Sequence, residues 1–446
     1  MSKELFEPNS IAIIGASNNL TKWGGRILTN IKQGYNGLIY PINPKETAIQ
    51  GLTSYPSITE APVCDLAIIV IPSSQVITTV DECGRRGTKA IIVITAGFAE
   101  VGNKALEEEL HAKVKQYGMR MLGPNTLGVA NNSINLNSSI LQEMPKKGNI
   151  SFVAQSGSMA LEIVEWAKEK NVGLCKVISV GNKTNIDDVD LLQYLNEDPD
   201  TKVIGIYAES IRRGREFIEV AKRIKKPIII LKVGRSKKGA AATFSHTASL
   251  SGDDVIYSGA FKQAGVLRVD TLEELFDALL VFSTQPIPGG NRLAILSNGG
   301  GSGIIAADEC EKYNIELPDL TKEMIEKIKP MMPTFASSRN PIDSAAVSRY
   351  ETYKTILDVF NGSEFDMILP IYIQDSTADP VPSANAIAEL VTDKPVVMCS
   401  MGGKKKETGI SIVTKAEIPV YPTPDRAVKV LSYLLEHKKF LNEVKI

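Results

Sequence analysis

Short runs of β-branched residues with almost no polar interruption recur along this chain. They limit its possible folds more than any other feature: SIAIIG (10–15), DLAIIVIP (65–72), KAIIVIT (89–95), VIGIYA (203–208) and PIIILKV (227–233). A strand with one face in water alternates apolar and polar residues, whereas an unbroken apolar run marks a strand covered on both faces. Amphipathic stretches at 22–33, 73–86, 103–117, 158–170 and 215–224 lie between the runs, each long enough for a helix. Strand–helix alternation of this kind predicts parallel sheets doubly wound by helices, an α/β fold.

The alternation falls into three blocks. The first holds a further expected strand at 38–43 and ends in the polar stretch MPKKGN (144–149), which reads as a linker. The second has expected strands at 150–154, 176–180, 203–208 and 227–233, with a further helix at 189–196, and runs to the breaker-rich TQPIPGGN at 284–291. The third opens with a strand at 293–297, a glycine loop and a helix at 304–313, and closes with a strand at 395–400 and a helix at 424–438. The expected division is 1–145, 146–288 and 289–446. With 446 residues, 43% of them hydrophobic, the chain can fill several cores.

Composition removes several function classes. Fifty Lys and Arg against fifty-one Asp and Glu leave a net charge of −1, so no global attraction to nucleic acid or an anionic membrane is expected. Five scattered cysteines without a CxxC pair, and only three histidines, speak against a disulfide framework, a structural zinc site or any other metal centre. The first ten residues lack the apolar core of a signal peptide, and no stretch approaches the roughly 18 apolar residues of a membrane span. The expectation is a cytoplasmic, reduced protein.

Anion binding must then come from local geometry. ISFVAQSGSM (150–159) and LAILSNGGGSG (293–303) share one layout: apolar strand, turn of small residues, helix. A helix N-terminus offers unpaired N–H groups and about half a positive charge, and only small residues let a phosphate come close to them. Gly15-Ala16-Ser17 opens a third such turn. The dinucleotide fingerprint GxGxxG fails there, because the next glycine is Gly24, and the second strand ends in Pro41-Ile42-Asn43-Pro44-Lys45 without the acid that would hold a ribose. Lys22 and Lys45 beside this turn favour a phosphate-rich ligand other than NAD over a purely structural turn.

The histidine best placed for chemistry is His246. It lies in GRSKKGAAATFSHTASLSG (234–252), nineteen residues without hydrophobic periodicity, longer than ordinary connections within a domain. Small neighbours leave the ring accessible, and an Asp pair at 253–254 is expected to cap the helix that follows. His111 and His437 lie in charged helical stretches and read as solvated faces. A neutral imidazole is nucleophilic near neutral pH and can attack a bound phosphate, provided a carboxylate orients its other nitrogen. Glu209, at the carboxyl end of the strand VIGIYA, fits that role, with an exposed loop glutamate as the alternative.

These segments, taken in order, resemble the α-subunit of ADP-forming acyl-CoA synthetases, relatives of succinyl-CoA synthetase, from about residue 5 to the last helix. The resemblance is carried by SIAIIGAS (10–17), YPINPK (40–45), ITAGF (94–98), GPNTLG (123–128), VAQSGSM (153–159), YAES (207–210), FSHTASLSG (244–252) and SNGGGSG (297–303). It implies an N-terminal Rossmann-like CoA-binding domain followed by two flavodoxin-like, succinyl-CoA synthetase-like domains. It further implies CoA contacts at Gly15, Ser17, Lys22, Gly24, Lys45, Pro72, Ser73, Thr95, Ala96, Gly97 and Asn125. Phosphate would be held by Gln155, Ser156, Gly157 and Ser158, and by a facing turn of Gly299, Gly300 and Gly301. His246 would be the phosphorylated histidine and Glu209 its stabiliser. The implied reaction converts acyl-CoA, ADP and inorganic phosphate to carboxylic acid, CoA and ATP. ADP and ATP with Mg²⁺ would sit in a separate ATP-grasp β-subunit of an α₂β₂ assembly, because neither that domain nor a Walker A sequence occurs here. The CoA-binding body of a protein acetyltransferase and a non-catalytic CoA sensor are the alternatives.

Overall fold

A computed structural model of the chain describes residues 3–241, 254–374 and 379–443. It divides into two compact units, 1–275 and 276–446. The first unit contains one parallel sheet and a second, mixed sheet whose main part is parallel. One is built from Ser10–Ile14, Leu38–Ile42, Leu66–Ile69, Ala90–Val93 and Arg120–Leu122. The parallel part of the other is built from Lys147–Ala154, Leu174–Ser179, Val203–Ala208, Ile228–Lys232 and Leu267–Val269. The second unit holds the third sheet, also parallel, from Leu293–Ser297, Ile342–Asp343, Met367–Gln374, Met398–Gly402 and Val420–Tyr421.

With each sheet's parallel strands numbered in chain order, all three sheets have the spatial order 2-1-3-4-5. The chain leaves strand 1 in one direction and returns on its other side, which opens a crevice beyond the carboxyl ends of strands 1 and 3. In each sheet the turn after strand 1 is one of the small-residue turns: 15–17, 155–158 and 298–301. The apolar runs are covered on both faces as expected; every residue of Leu66–Ile69, Ala90–Val93, Ile228–Lys232 and Leu293–Ser297 is buried. Helices such as Trp23–Gly34, Ser73–Arg85, Gly157–Glu169 and Gly300–Lys312 connect them.

Polar chemistry hides some elements from a pattern search. Gly128–Asn131 and Leu136–Ser139 form an antiparallel pair that extends the second sheet at its Leu174–Ser179 edge, although they lie before residue 145. Their sequences, GVAN and LNSS, carry polar residues yet are buried throughout. Asn131 Nδ2 donates to the Phe6 carbonyl oxygen at 2.9 Å, Ser138 Oγ to that of Val129 at 2.9 Å, and Asn30 Nδ2 to that of Ser139 at 2.9 Å. Buried polar groups bonded in this way carry little penalty. Part of the expected linker is also strand, since Lys147–Ala154 begins inside it. His437 is not on a solvated face: it is 6% exposed, with its ring 5.6 Å from that of Phe282. His111 is half-buried. The five cysteines are buried and free.

A buried ion pair supports the second sheet. Lys176 Nζ donates to Asp198 Oδ2 at 2.7 Å, and the same oxygen accepts from Thr201 and, at 3.6 Å, from Cys175 Sγ. Burial alone would raise the Asp198 carboxyl, but the hydrogen bonds from Lys176 and Thr201 hold it below the ordinary carboxylate range. Asp198→Ala is expected to cost about 3–5 kcal/mol in urea unfolding, and the double substitution Lys176→Met/Asp198→Leu far less, because only the single change strands a buried charge. Since the native value is depressed, the stabilisation is complete above the ordinary carboxylate range and is lost as pH falls through the native value.

Candidate active site

The first crevice lies beyond Ser10–Ile14 and Leu66–Ile69. Gly15 has φ +95°, and a Cβ there would stand 2.3 Å from the Val70 carbonyl oxygen. A Cβ on Gly24 would stand 2.0 Å from the Gly15 carbonyl oxygen, so helix Trp23–Gly34 starts directly against the turn only because both positions are glycine. No side chain caps this helix or Ser73–Arg85, which starts after Pro72. Gly25 N and Gln75 N already donate to the Lys22 and Pro72 carbonyl oxygens, so among the described residues the N–H groups ahead of them are the ones left for a ligand. Asn43 stands where a ribose-binding acid would be: its Nδ2 donates to the Ala16 carbonyl oxygen at 2.8 Å, and its Oδ1 accepts from Lys45 N at 2.9 Å.

The later loops join the same edge. Thr95 Oγ1 donates to the Ile71 carbonyl oxygen at 2.7 Å, and Asn125 N donates to that of Thr95 at 3.0 Å. A Cβ on Gly97 would lie 3.0 Å from Ser73 Oγ. Gly15, Ser17, Gly24, Pro72, Ser73, Thr95, Ala96, Gly97 and Asn125 therefore gather at one edge of the first sheet, and Lys22 and Lys45 sit exposed on its loops.

The second crevice brings Gln155 and Glu209 together. Gln155 follows strand 1 of its sheet, Glu209 follows strand 3, and both are buried, at 6% and 5% exposure. Gln155 Oε1 accepts from Glu209 N at 2.9 Å and from Ser210 N at 3.1 Å, fixing the glutamate's backbone to the turn. Ser156 leads into helix Gly157–Glu169 without capping it, and its hydroxyl is 2.9 Å from that of Ser158. The glutamate is thus buried beside a helix N-terminus, not on an exposed loop.

Gly299, Gly300 and Gly301 open helix Gly300–Lys312 in the second unit, again with no side-chain cap. Here a carboxylate stands against the helix start itself: a Cβ on Gly300 would lie 2.9 Å from Asp343 Oδ2. His246 lies outside the described residues. The residues flanking 242–253 are tied together, with Arg235 Nε 3.4 Å from Asp254 Oδ2 and Asp254 paired with Arg268 as well. Asp254 thus spends its carboxylate on two arginines.

Two buried lysines beside Glu209 escaped the sequence reading. Lys183 Nζ donates to Asp188 Oδ1 at 2.9 Å and Oδ2 at 2.7 Å, and to the Ser210 carbonyl oxygen at 2.9 Å. Its backbone has φ +56°, a left-handed conformation that costs a residue with a side chain about 1–2 kcal/mol. Nothing in GNKTNIDD marks that conformation. Lys232 did leave a signal, a lone charge ending an apolar run, PIIILK. Among the described residues, no three His, Cys, Asp or Glu side chains cluster as metal ligands, and no helix is long and apolar enough to cross a membrane.

A family model described as a CoA binding domain matches residues 9–132, and one described as a succinyl-CoA ligase like flavodoxin domain matches residues 147–282. The two sheets of the first unit thus define a CoA-binding, succinyl-CoA ligase-like α/β protein. The chain is 39% identical over 446 residues to the acetate–CoA ligase [ADP-forming] II subunit alpha of Pyrococcus furiosus, covering 97% of each chain. It is 41% identical over 445 residues to the acetate–CoA ligase [ADP-forming] of Methanocaldococcus jannaschii, covering 98% of this chain and 63% of that one. A solved structure from Ca. Korarchaeum cryptofilum, a dinucleotide forming acetyl-coenzyme A synthetase 1 in complex with phosphate and ADP, superposes with a TM-score of 0.95 at 38% identity, covering 100% of this chain and 98% of that one. The chain belongs to the family of ADP-forming acetate–CoA ligase alpha subunits. The resemblance carried by the motifs is confirmed.

The first crevice supplies a direct check on CoA binding. Gly24→Ala forces a methyl group into the Gly15 carbonyl and is expected to cost about 1–3 kcal/mol. If CoA binds at this helix start, calorimetric titration should show affinity falling by about tenfold or more in this variant, and an unchanged affinity would place CoA elsewhere.

Proposed function

We propose that the chain is the alpha subunit of an ADP-forming acyl-CoA synthetase, with acetyl-CoA the first substrate to test. CoA lies against the helix starts of the first crevice. Inorganic phosphate is held at the N-terminus of helix Gly157–Glu169 by Gln155, Ser156, Gly157 and Ser158. A phosphate oxygen attacks the thioester carbonyl, the C–S bond breaks, and the sulfur leaves as CoA thiol after taking a proton. The product is an acyl phosphate. A ring nitrogen of His246 then attacks phosphorus, and the P–O bond to the acyl group breaks to release the carboxylate. Finally ADP takes the phosphoryl group as the P–N bond breaks. Helix N-termini supply fixed positive potential for each anion without reorganisation.

The observation that carries this reading is the bond from Gln155 to the Glu209 backbone. It ties the backbone of the residue that bears the carboxylate to the small-residue turn, at one crevice, as a phosphate site served by an oriented histidine requires. The nucleotide and its Mg²⁺ belong to a separate ATP-grasp subunit in an α₂β₂ assembly, and the protein works in the cytoplasm. Reconstitution tests the whole reading: acetyl-CoA, ADP and phosphate should yield ATP only when this chain and the partner are both present. ATP formation by the partner without this chain, or none from the pair with any acyl-CoA offered, would overturn it.

A further inference from the structure

Lys232 is 1% exposed and ends the strand next to the one that leads into Glu209. Ala208 and Lys232 pair in register, and Val233 N donates to the Ala208 carbonyl oxygen at 3.0 Å. Lys232 Nζ donates to the Val233 carbonyl oxygen at 2.6 Å and lies 4.6 Å from the centre of the Tyr257 ring. Four charges bear on it: Glu209 beyond the neighbouring strand, Lys183, Arg268 on the edge strand Leu267–Val269, and Asp254 on helix Asp254–Gln263. Lys183 is matched by Asp188, and Arg268 by Asp254, which also takes Arg235. Among the described residues, Lys232 has no carboxylate in ion-pair contact.

An ammonium held in a dry interior without a counter-ion is costly, and a ring face and one carbonyl return only part of that cost. The imbalance has a use if an anion arrives. We propose that Lys232 is a positioning residue for phosphoryl transfer, its buried ammonium being the counter-charge that lets a phosphoryl group approach the Glu209 carboxylate. This rests on the phosphohistidine reading above. Burial, reinforced by Arg268, pulls Lys232 down to about 8. Its charge is therefore present below that value and lost above it, and transfer should weaken on the alkaline side.

The test follows covalent labelling of the full chain by acetyl-CoA plus radiolabelled phosphate across neutral to alkaline pH. The variants are Lys232→Met, Lys232→Arg and His246→Asn, with a melting curve for each. At neutral pH, Lys232→Met should label at least about tenfold more slowly than the unmodified chain. Lys232→Arg should keep labelling and lose the alkaline decline, because a guanidinium stays charged throughout. A merely structural lysine would not move that decline. Labelling of Lys232→Met within twofold of the unmodified chain overturns the proposal. So does an unchanged alkaline decline in Lys232→Arg, which decides the matter if the methionine variant fails to fold. Labelling of His246→Asn at the normal rate, or no labelling of the unmodified chain, instead overturns the phosphohistidine reading itself.

Discussion

His246→Asn is expected to abolish covalent labelling of the chain and to lower coupled ATP formation by about 10⁴-fold or more, the scale on which loss of a nucleophile acts. One partial reaction should survive. In the proposed mechanism phosphate attacks the thioester before the histidine acts, so phosphate-dependent release of CoA from acetyl-CoA should persist near its normal rate. Thiol release measured with a chromogenic disulfide, beside labelling on the same samples, separates the two steps. Loss of both together would mean that residue 246 serves folding or CoA binding, and loss of neither would remove it from the chemistry.

Glu209→Gln should lower labelling by about 10²–10⁴-fold with little change in CoA affinity. The size of the effect follows from how the residue is held. It is 5% exposed, its backbone N–H is bonded to Gln155, and the next carbonyl is bonded to Lys183. Glutamine keeps the shape but has no negative charge to steady an imidazolium or a phosphorylated ring. Rapid-quench labelling, with CoA titration as the control, measures the loss. A decrease below about threefold would leave Glu209 with a structural role alone, since a site so tightly built should feel the missing charge.

The four strands Ser10–Ile14, Leu66–Ile69, Ala90–Val93 and Val203–Ala208 were legible because burial on both faces leaves an unbroken apolar record. Gly128–Asn131 and Leu136–Ser139 were not, since their burial is sustained by hydrogen bonds from Asn and Ser side chains, which leave no periodicity. His437 misled for the opposite reason. Its neighbours in the chain, LLEHKKF, are charged, yet its own face of the helix meets Phe282. At the site, the small-residue turns announced themselves because close approach to a backbone excludes other residues. Lys183 gave no sign, because its bond to Ser210 depends on a segment 27 positions away.

Local sequence alone settled the alternating strand–helix order, the glycine at positions 15 and 24, and the family, because each is written in neighbouring residues or in motifs at set spacing. Only the tertiary structure decided that all three sheets share the order 2-1-3-4-5, so that each small-residue turn falls in a crevice. It alone placed Gln155, Lys183 and Lys232 around Glu209. Strand order and the partners of a buried charge arise from contacts between segments far apart in the chain, and such contacts leave no trace in the spacing of residues along it.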